Sequence, residues 1–362
     1  MRIAFDARMI THPGIGRYIS CLLPEIIRQA PDMEIVLLGD PKALAAFSLY
    51  EHVRIVPWDI PIYSLWEQLS PARSRVKADV LHVPHFNIPL GYKGKLVSTI
   101  HDLIYLLFPD SVSNPMASMY ARKMIKSALE KSERVITVSN YTKTDLLELF
   151  GGTYREKIDV IYEAPGSQFH QAEDRTREAD VSTRYRLSEN MILYVGSIKP
   201  HKNVASLLKV YNVLKKWGAP HQLVICGRWD KKEDKLRELI DEKNVRYLGE
   251  VSTEDLATLY NMADVLVHLS LYEGFGLTVL EAMSCGCPAV VSNRASLPEV
   301  AGKSAFLVDP ENIDQAADTV FNVLMNKQLR QGMIDDGLEH VKKFSWKKAA
   351  RETIEAYKKA LG

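Results

Sequence analysis

Short β-branched runs alternate with longer helical patterns along almost the whole chain, and no other feature restricts its fold as much. Strands separated by helices cannot close as tight hairpins. They line up in parallel, and a parallel sheet needs helices over both faces. In the first half the pattern predicts strands at 3–5, 35–38, 53–56, 80–83, 96–100 and 135–138, with helices at 17–29, 118–131 and 143–150. The segment GSQFHQAEDRTREADVSTRYRLSE, 166–189, is polar and poor in aliphatic residues, which predicts an interdomain linker with a short helix. A second series follows, with strands at 192–195, 223–226, 246–248, 265–268, 289–292 and 306–308; helices at 314–326, 328–342 and 346–360 close the chain. A length of 362 residues suits two such domains, 1–165 and 190–345. Each is expected to be a doubly wound α/β sheet that binds ligands at the C-terminal ends of its strands.

Composition excludes several other classes. With 46% hydrophobic and 25% charged residues the chain is an ordinary globular one, and a net charge of +1 gives no electrostatic reason for a nucleic-acid partner. The cysteines, Cys21, Cys226, Cys285 and Cys287, are too few and too scattered for a disulfide framework. Cys285 and Cys287, separated by Gly286, form neither a CxxC redox pair nor a usual zinc knuckle. The opening MRIAFDARMI carries Arg2, Asp6 and Arg8 and predicts a strand rather than a signal peptide. No run approaches ~20 apolar residues. These features predict a cytoplasmic protein, or one peripheral to the inner face of a membrane.

The segment YEGFGLTVLEAMSCGCPAVVSN, 272–293, carries the most chemistry. It sets Glu273 and Glu281 eight positions apart around a Gly-Phe-Gly turn that opens a helix. Unblocked N–H groups at a helix start attract anions, and carboxylates beside them accept hydrogen bonds from sugar or ribose hydroxyls. Glu281 also follows Thr278 at the spacing of a capping box, so the residues leave both roles open for it. Upstream, YVGSIKPHKN, 194–203, places Lys202 after a strand and a turn at Gly196, where a cation can face a leaving diphosphate. THPGIGRY, 11–18, puts Gly14 and Gly16 between a strand and a helix, which is half a dinucleotide fingerprint and equally a tight turn. His101, in TIHD at the end of a buried strand, fits either a ligand contact or a satisfied core residue, and Asp102 is expected to pin the loop. For His82 and His85, at another strand end, a structural role is the stronger reading. RYLGEVSTEDL, 246–256, reads as strand, turn and a helix capped by Ser252 or Thr253.

Segment 272–293 resembles the paired-glutamate signature of the retaining family 4 glycosyltransferases. The resemblance implies the GT-B fold, in which two Rossmann-like domains face a central cleft and the last helix, here 346–362, packs back on the N-terminal domain. It implies an acceptor-binding N-terminal domain and a C-terminal domain for a nucleotide diphosphate sugar. Glu273 would contact the donor sugar and Glu281 the ribose, with backbone N–H groups of Phe275, Gly276, Leu277 and Thr278 on sugar and phosphate. Lys202 matches the family lysine by its offset from Gly196, and His101 matches the cleft histidine. The loop with Gly14 and Gly16 would lie against diphosphate or acceptor, and Val251 would offer backbone groups to the base. The chain departs from the pattern after Gly196, where many members carry an arginine and Ser197 and Ile198 stand here. The second cation is then Arg228, His201 or missing.

SLPEVAG, 296–302, and FSWKKAA, 344–350, are similar to the polysaccharide and O-antigen branch, where mannosyltransferases are common. The resemblance therefore implies transfer of a hexose with retention to a glycan or lipid-linked acceptor, with GDP-mannose as first candidate donor and UDP-hexoses next. It implies a front-face route in which the leaving phosphate helps to deprotonate the acceptor hydroxyl. No DxD-type pair stands at a suitable strand end, so neither a cofactor nor an essential metal is expected; Lys202 and the helix dipole take over the metal's electrostatic task. The rivals are a noncatalytic nucleotide-sugar-binding protein and an NAD(P)-dependent oxidoreductase, the latter weakened by the missing GxGxxG. The segment PMASMYARKMIKSALEK, 115–131, combines Met116, Met119, Tyr120, Met124, Ile125 and Leu129 with Arg122, Lys123, Lys126 and Lys131. That pattern serves an interfacial helix on an anionic membrane and a core-packed amphipathic helix alike.

Overall fold

Strand order in both sheets reverses beside the first strand, and that reversal decides where side chains can converge. The computed structural model describes residues 1–64, 66–67, 77–111, 115–241 and 243–362. The chain divides into two units, Met1–Glu163 with Ser345–Gly362, and Ala164–Phe344.

In the first unit the strands are β1 (Arg2–Asp6), β2 (Glu34–Gly39), β3 (Val53–Pro57), β4 (Val80–Val83), β5 (Lys95–Ile100), β6 (Arg134–Thr137) and β7 (Ile158–Val160). They lie in the order β3-β2-β1-β4-β5-β6-β7, all parallel, with Ile3 opposite both Ile35 and Val80. The helix Ile15–Gln29 buries Tyr18, Ile19, Leu22, Leu23, Ile26 and Ile27, one stripe at helical spacing. The helix Trp346–Leu361 buries Ala349, Ala350, Ala356 and Ala360, small residues that allow close packing, and the Lys347 carbonyl accepts a bond from Gln29. Its Tyr357 hydroxyl lies 2.7 Å from His82 Nδ1. Strand β7 escaped the sequence pattern because Asp159 stands in its middle; that carboxylate is held by Arg134 of β6 at 2.6 Å and by Lys359 at 3.0 Å. A charged residue in a three-residue edge strand breaks the continuous apolar run that marks the other strands.

The second unit holds β8 (Met191–Val195), β9 (Gln222–Cys226), β10 (Val245–Gly249), β11 (Val265–His268), β12 (Ala289–Ser292) and β13 (Phe306–Val308), in the parallel order β10-β9-β8-β11-β12-β13. Segment 166–189 carries the helix Thr176–Tyr185, and it is docked: Arg177, Arg184 and Tyr185 each donate to Asp255 at 2.8 Å. None of the four cysteines is in a disulfide among the described residues, and Cys226, Cys285 and Cys287 are buried. Among the described residues no helix is long and apolar enough to cross a membrane. The helix Pro115–Lys131 turns Ala121, Met124, Ile125, Ala128 and Leu129 into the first unit's core, while Met116 and Met119 are 71% and 76% exposed.

Candidate functional site

Chain order reverses between β8 and β11, and in doubly wound sheets ligands bind at the strand ends beside such a reversal. Lys202 follows β8 and Glu273 follows β11. Their side chains meet there: Lys202 Nζ donates to both Glu273 oxygens, at 2.6 and 2.7 Å. His268 Nε2 lies 2.7 Å from Oε1 and Ser270 Oγ 2.8 Å from it. Burial alone would raise the Glu273 pKa, but the Lys202 charge and the His268 hydrogen bond outweigh it and hold the carboxyl well below the usual range. Glu273 is thus a fixed anion beside a fixed cation. His268 and Ser270 were not singled out in the sequence, although their place at the end of a strand leading into the glutamate loop is a usable signal.

The loop behind Glu273 opens the helix Leu277–Ser284, whose N-cap is Gly276 at φ 101°. A side chain there would be strained and would meet Leu297 at 2.7 Å, so the turn requires glycine. Ser296 Oγ lies within 2.9 Å of the Glu273 and Phe275 carbonyls and braces the loop. The first-turn N–H groups of Leu277 and Thr278 have no intrahelical acceptor, as at any helix start. Thr278 is inside the helix rather than its cap, so the capping-box role left open for Glu281 is not formed. Glu281 is fully buried and accepts a hydrogen bond from the Tyr260 hydroxyl at 3.1 Å.

Gly196 follows β8, its N–H donating to the Cys226 carbonyl at the end of β9. Ile198 and Trp229 form an isolated parallel bridge, which runs the two loops side by side and sets Arg228 next to Ser197. Ile198 and Trp229 pack on the core, while Arg228 is exposed. His201 is buried, and burial together with the neighbouring Lys202 charge lowers its pKa to about 4. It is neutral at neutral pH. Val251 lies just before Ser252, which is the N-cap of the helix Thr253–Met262.

The remaining residues predicted from sequence belong to the first unit. His101 is held at both ring nitrogens, with Nδ1 3.3 Å from Glu163 Oε1 and Nε2 3.0 Å from the Pro84 carbonyl. Both partners are acceptors, so only the imidazolium satisfies both. Burial would lower its pKa, yet the Glu163 carboxylate and the Pro84 carbonyl prevail and raise it. Glu163 had no sequence signal. Asp102 accepts from the Ile104 N–H and pins the loop. Gly14 and Gly16 open the helix Ile15–Gln29; a Cβ on Gly16 would meet the Ile10 carbonyl oxygen at 2.4 Å, so packing alone demands that glycine. His82, between Tyr357 and Thr99, is buried with its pKa pushed down to about 3, chiefly by desolvation. His85, Asp6 and Glu67 bring ligand atoms within 4.8 Å of one another, a spacing that could hold a metal. Arg8, however, donates to Asp6 at 2.6 Å and to Glu67 at 2.7 Å, so a guanidinium already pairs with both acids.

Comparison with known proteins places this geometry. Residues 13–164 match the family model described as Glycosyltransferase Family 4, and residues 176–340 the one described as Glycosyl transferases group 1. The chain is 31% identical to O-antigen chain mannosyltransferase B of Escherichia coli, over 99% of this chain and 100% of that protein. It is 30% identical to O-antigen chain mannosyltransferase RfbU of Salmonella typhimurium, over 77% of each. Among solved structures, sucrose-phosphate synthase from Thermosynechococcus elongatus superposes with TM-score 0.77 at 19% identity, covering 99% of this chain and 98% of that one. Anabaena HepE in complex with UDP and glucose gives 0.75 at 19%, covering 98% of each.

Proposed function

Because the chain belongs to the family 4 glycosyltransferases and has the GT-B fold, we propose that it transfers mannose from GDP-mannose, with retention, to a glycan or lipid-linked saccharide. The observation that carries the reading is the Lys202–Glu273 pair at the β8/β11 reversal, beside the helix start at Leu277. A nucleoside diphosphate gains negative charge as its bond to the sugar breaks, and a lysine with unpaired helix N–H groups stabilises that charge. The mannosyl donor is supported by the O-antigen mannosyltransferase relatives.

The leaving phosphate takes the acceptor's proton, and Glu273 fixes the sugar. Arg228 is the second cation. His201 is neutral and buried, whereas Arg228 is exposed beside Ser197, where the family pattern has arginine. With Lys202, Arg228 and the helix start sharing the phosphate charge, no metal is required.

Thermal shifts with GDP, UDP, ADP, dTDP and their sugars test this reading. At a hundredfold excess over its dissociation constant the true ligand adds about 2.7 kcal/mol. The shift should survive EDTA and fall in Arg228→Gln; an EDTA-sensitive shift indifferent to Arg228 would overturn the electrostatic assignment.

On the acceptor side, peripheral contact with an anionic membrane would run through the start of the helix Pro115–Lys131. Its exposed Met116 and Met119 stand close in sequence to exposed Lys123 and Lys126, while Arg122 lies over Phe150. Each basic residue near such a surface is worth about 1 kcal/mol. Cosedimentation with phosphatidylglycerol vesicles should weaken when Lys123 and Lys126 become glutamine, and equal binding of both proteins would return the helix to a purely structural role.

A further inference from the structure

His268 closes β11, five positions before Glu273, and is 1% exposed. Its ring stacks on Tyr194 of the adjacent strand β8, centroids 5.7 Å and planes 12° apart. That stack fixes the imidazole plane and aims Nε2 at Glu273 Oε1, 2.7 Å away. Ser270 Oγ reaches the same oxygen at 2.8 Å. The two carboxylate oxygens are therefore unequal: Oε1 faces His268, Ser270 and Lys202, whereas Oε2 faces Lys202 at 2.7 Å. The other imidazole nitrogen, Nδ1, is buried without a partner among the described residues. A hydrogen on Nδ1 would have no acceptor among the described residues, so the geometry places a ring hydrogen on Nε2, which faces Glu273 Oε1 and, at 3.0 Å, Ser270 Oγ.

We propose that His268 is a positioning residue that, with Ser270, occupies Glu273 Oε1 and leaves Oε2 as the oxygen presented to a hydroxyl of the bound sugar. The inference rests on the donor reading above and deepens it. Lys202 cannot do this alone. It bridges both oxygens almost equally, and a bound diphosphate competes for the same ammonium. The final torsion of a glutamate side chain is broad, so a carboxylate released by its lysine turns freely unless another donor holds it. His268 and Ser270 are anchored at the end of a buried strand and keep their places when the lysine is shared.

The charged and titratable groups facing Glu273 are Lys202, with His201 from the same turn, His268 of β11, and Tyr194 of β8; Lys199 acts on His201. His268→Phe keeps the ring and its stack but removes the donor. His268→Gln returns an N–H near the position of Nε2. The measurement is calorimetric affinity, from acid to neutral pH, for whichever pair of nucleoside diphosphate and its sugar among GDP, UDP, ADP and dTDP the native protein binds.

Loss of one hydrogen bond that orients a charged group is expected to weaken sugar-nucleotide binding by about 10-fold in His268→Phe. The bare diphosphate should be unaffected, and His268→Gln should recover to within about 3-fold. The acid limb of sugar-nucleotide binding should also move to higher pH in His268→Phe alone, because Glu273 loses a donor that keeps it ionised. Equal behaviour of the two variants, or parallel losses for diphosphate and sugar nucleotide, would overturn the positioning role. A native protein that binds bare diphosphates but gains nothing from any sugar would also overturn it. Failure of the native protein to bind any diphosphate or its sugar would instead overturn the donor reading, and this inference with it.

Discussion

Glu273 in the second unit is buried and His101 in the first is half-buried, and both are paired, yet they are prepared differently. Three donors converge on one oxygen of Glu273, and among the described residues its other oxygen meets Lys202 alone. His101 has both nitrogens engaged, by Glu163 and by the Pro84 carbonyl. The first arrangement fixes a charge and still offers an oxygen; the second fixes a charge and closes the ring off. Both residues draw a partner from a distant part of the chain, Lys202 for Glu273 and Glu163 for His101, but His268 and Ser270, five and three positions before Glu273, hold one of its oxygens and leave the other to a lysine that can be shared. The two partners of His101 occupy both of its nitrogens.

The largest effect expected from this contrast is at Lys202. Lys202→Ala leaves the Glu273 carboxylate buried and short of its main partner, which should cost about 3 kcal/mol in urea unfolding at neutral pH. Because the folded pKa of Glu273 is depressed, its contribution to stability is present above the unfolded value of about 4.3 and is lost as pH falls through the folded pKa. The difference between variant and native protein should therefore shrink in acid. A deficit independent of pH would mean that the ion pair is not its source.

Glu273→Gln comes next. If Glu273 holds the donor sugar as proposed, removing its charge with shape kept should lower the rate of sugar transfer by about 100-fold, the usual result of deleting one preorganised stabilising group. Circular dichroism should be unchanged. A variant of native activity would show that the presented oxygen has no part in the reaction.

The smallest effect is expected at the closed pair. Glu163→Gln removes the acceptor that favours the His101 cation, and should cost about 1.4 kcal/mol for each unit by which the histidine pKa falls. The sign is opposite to that at Glu273. A raised histidine pKa stabilises fully below the unfolded value of about 6.5, and that stability is lost as pH rises through the folded pKa. Melting temperatures of variant and native protein should differ in mild acid and converge in base; convergence in acid instead would refute the imidazolium assignment.

Much of the fold was legible from local pattern. The strands at 80–83, 265–268, 289–292 and 306–308 match their observed bounds, because a parallel strand is a compact apolar run that punctuation on either side delimits; the first three are buried throughout, and the last is an edge strand with Phe306 and Leu307 exposed. Strand β7 was not legible, since Asp159 breaks its run and is compensated only by Arg134 and Lys359. At the site, Glu273, Lys202 and the glycine turn stood out because each sits in a short segment of distinctive composition. His268, Ser270, Tyr260 and Glu163 did not, because a histidine, serine, tyrosine or glutamate in an ordinary strand or helix has no local mark of its role.

The sequence by itself determined the alternation of strands and helices, the glycine turn at Gly276 and the residue types able to grip a diphosphate, all of which depend on contacts within a few residues. Only the tertiary structure decided that Lys202 and Glu273, 71 positions apart, are partners. It likewise decided that Glu281 is buried under Tyr260 instead of capping its helix, and that His201 is neutral while Arg228 stays exposed. The reason is physical. Pairing and protonation are set by which strands become neighbours and by how far each group is withdrawn from water, and neither quantity exists until the sheet has formed.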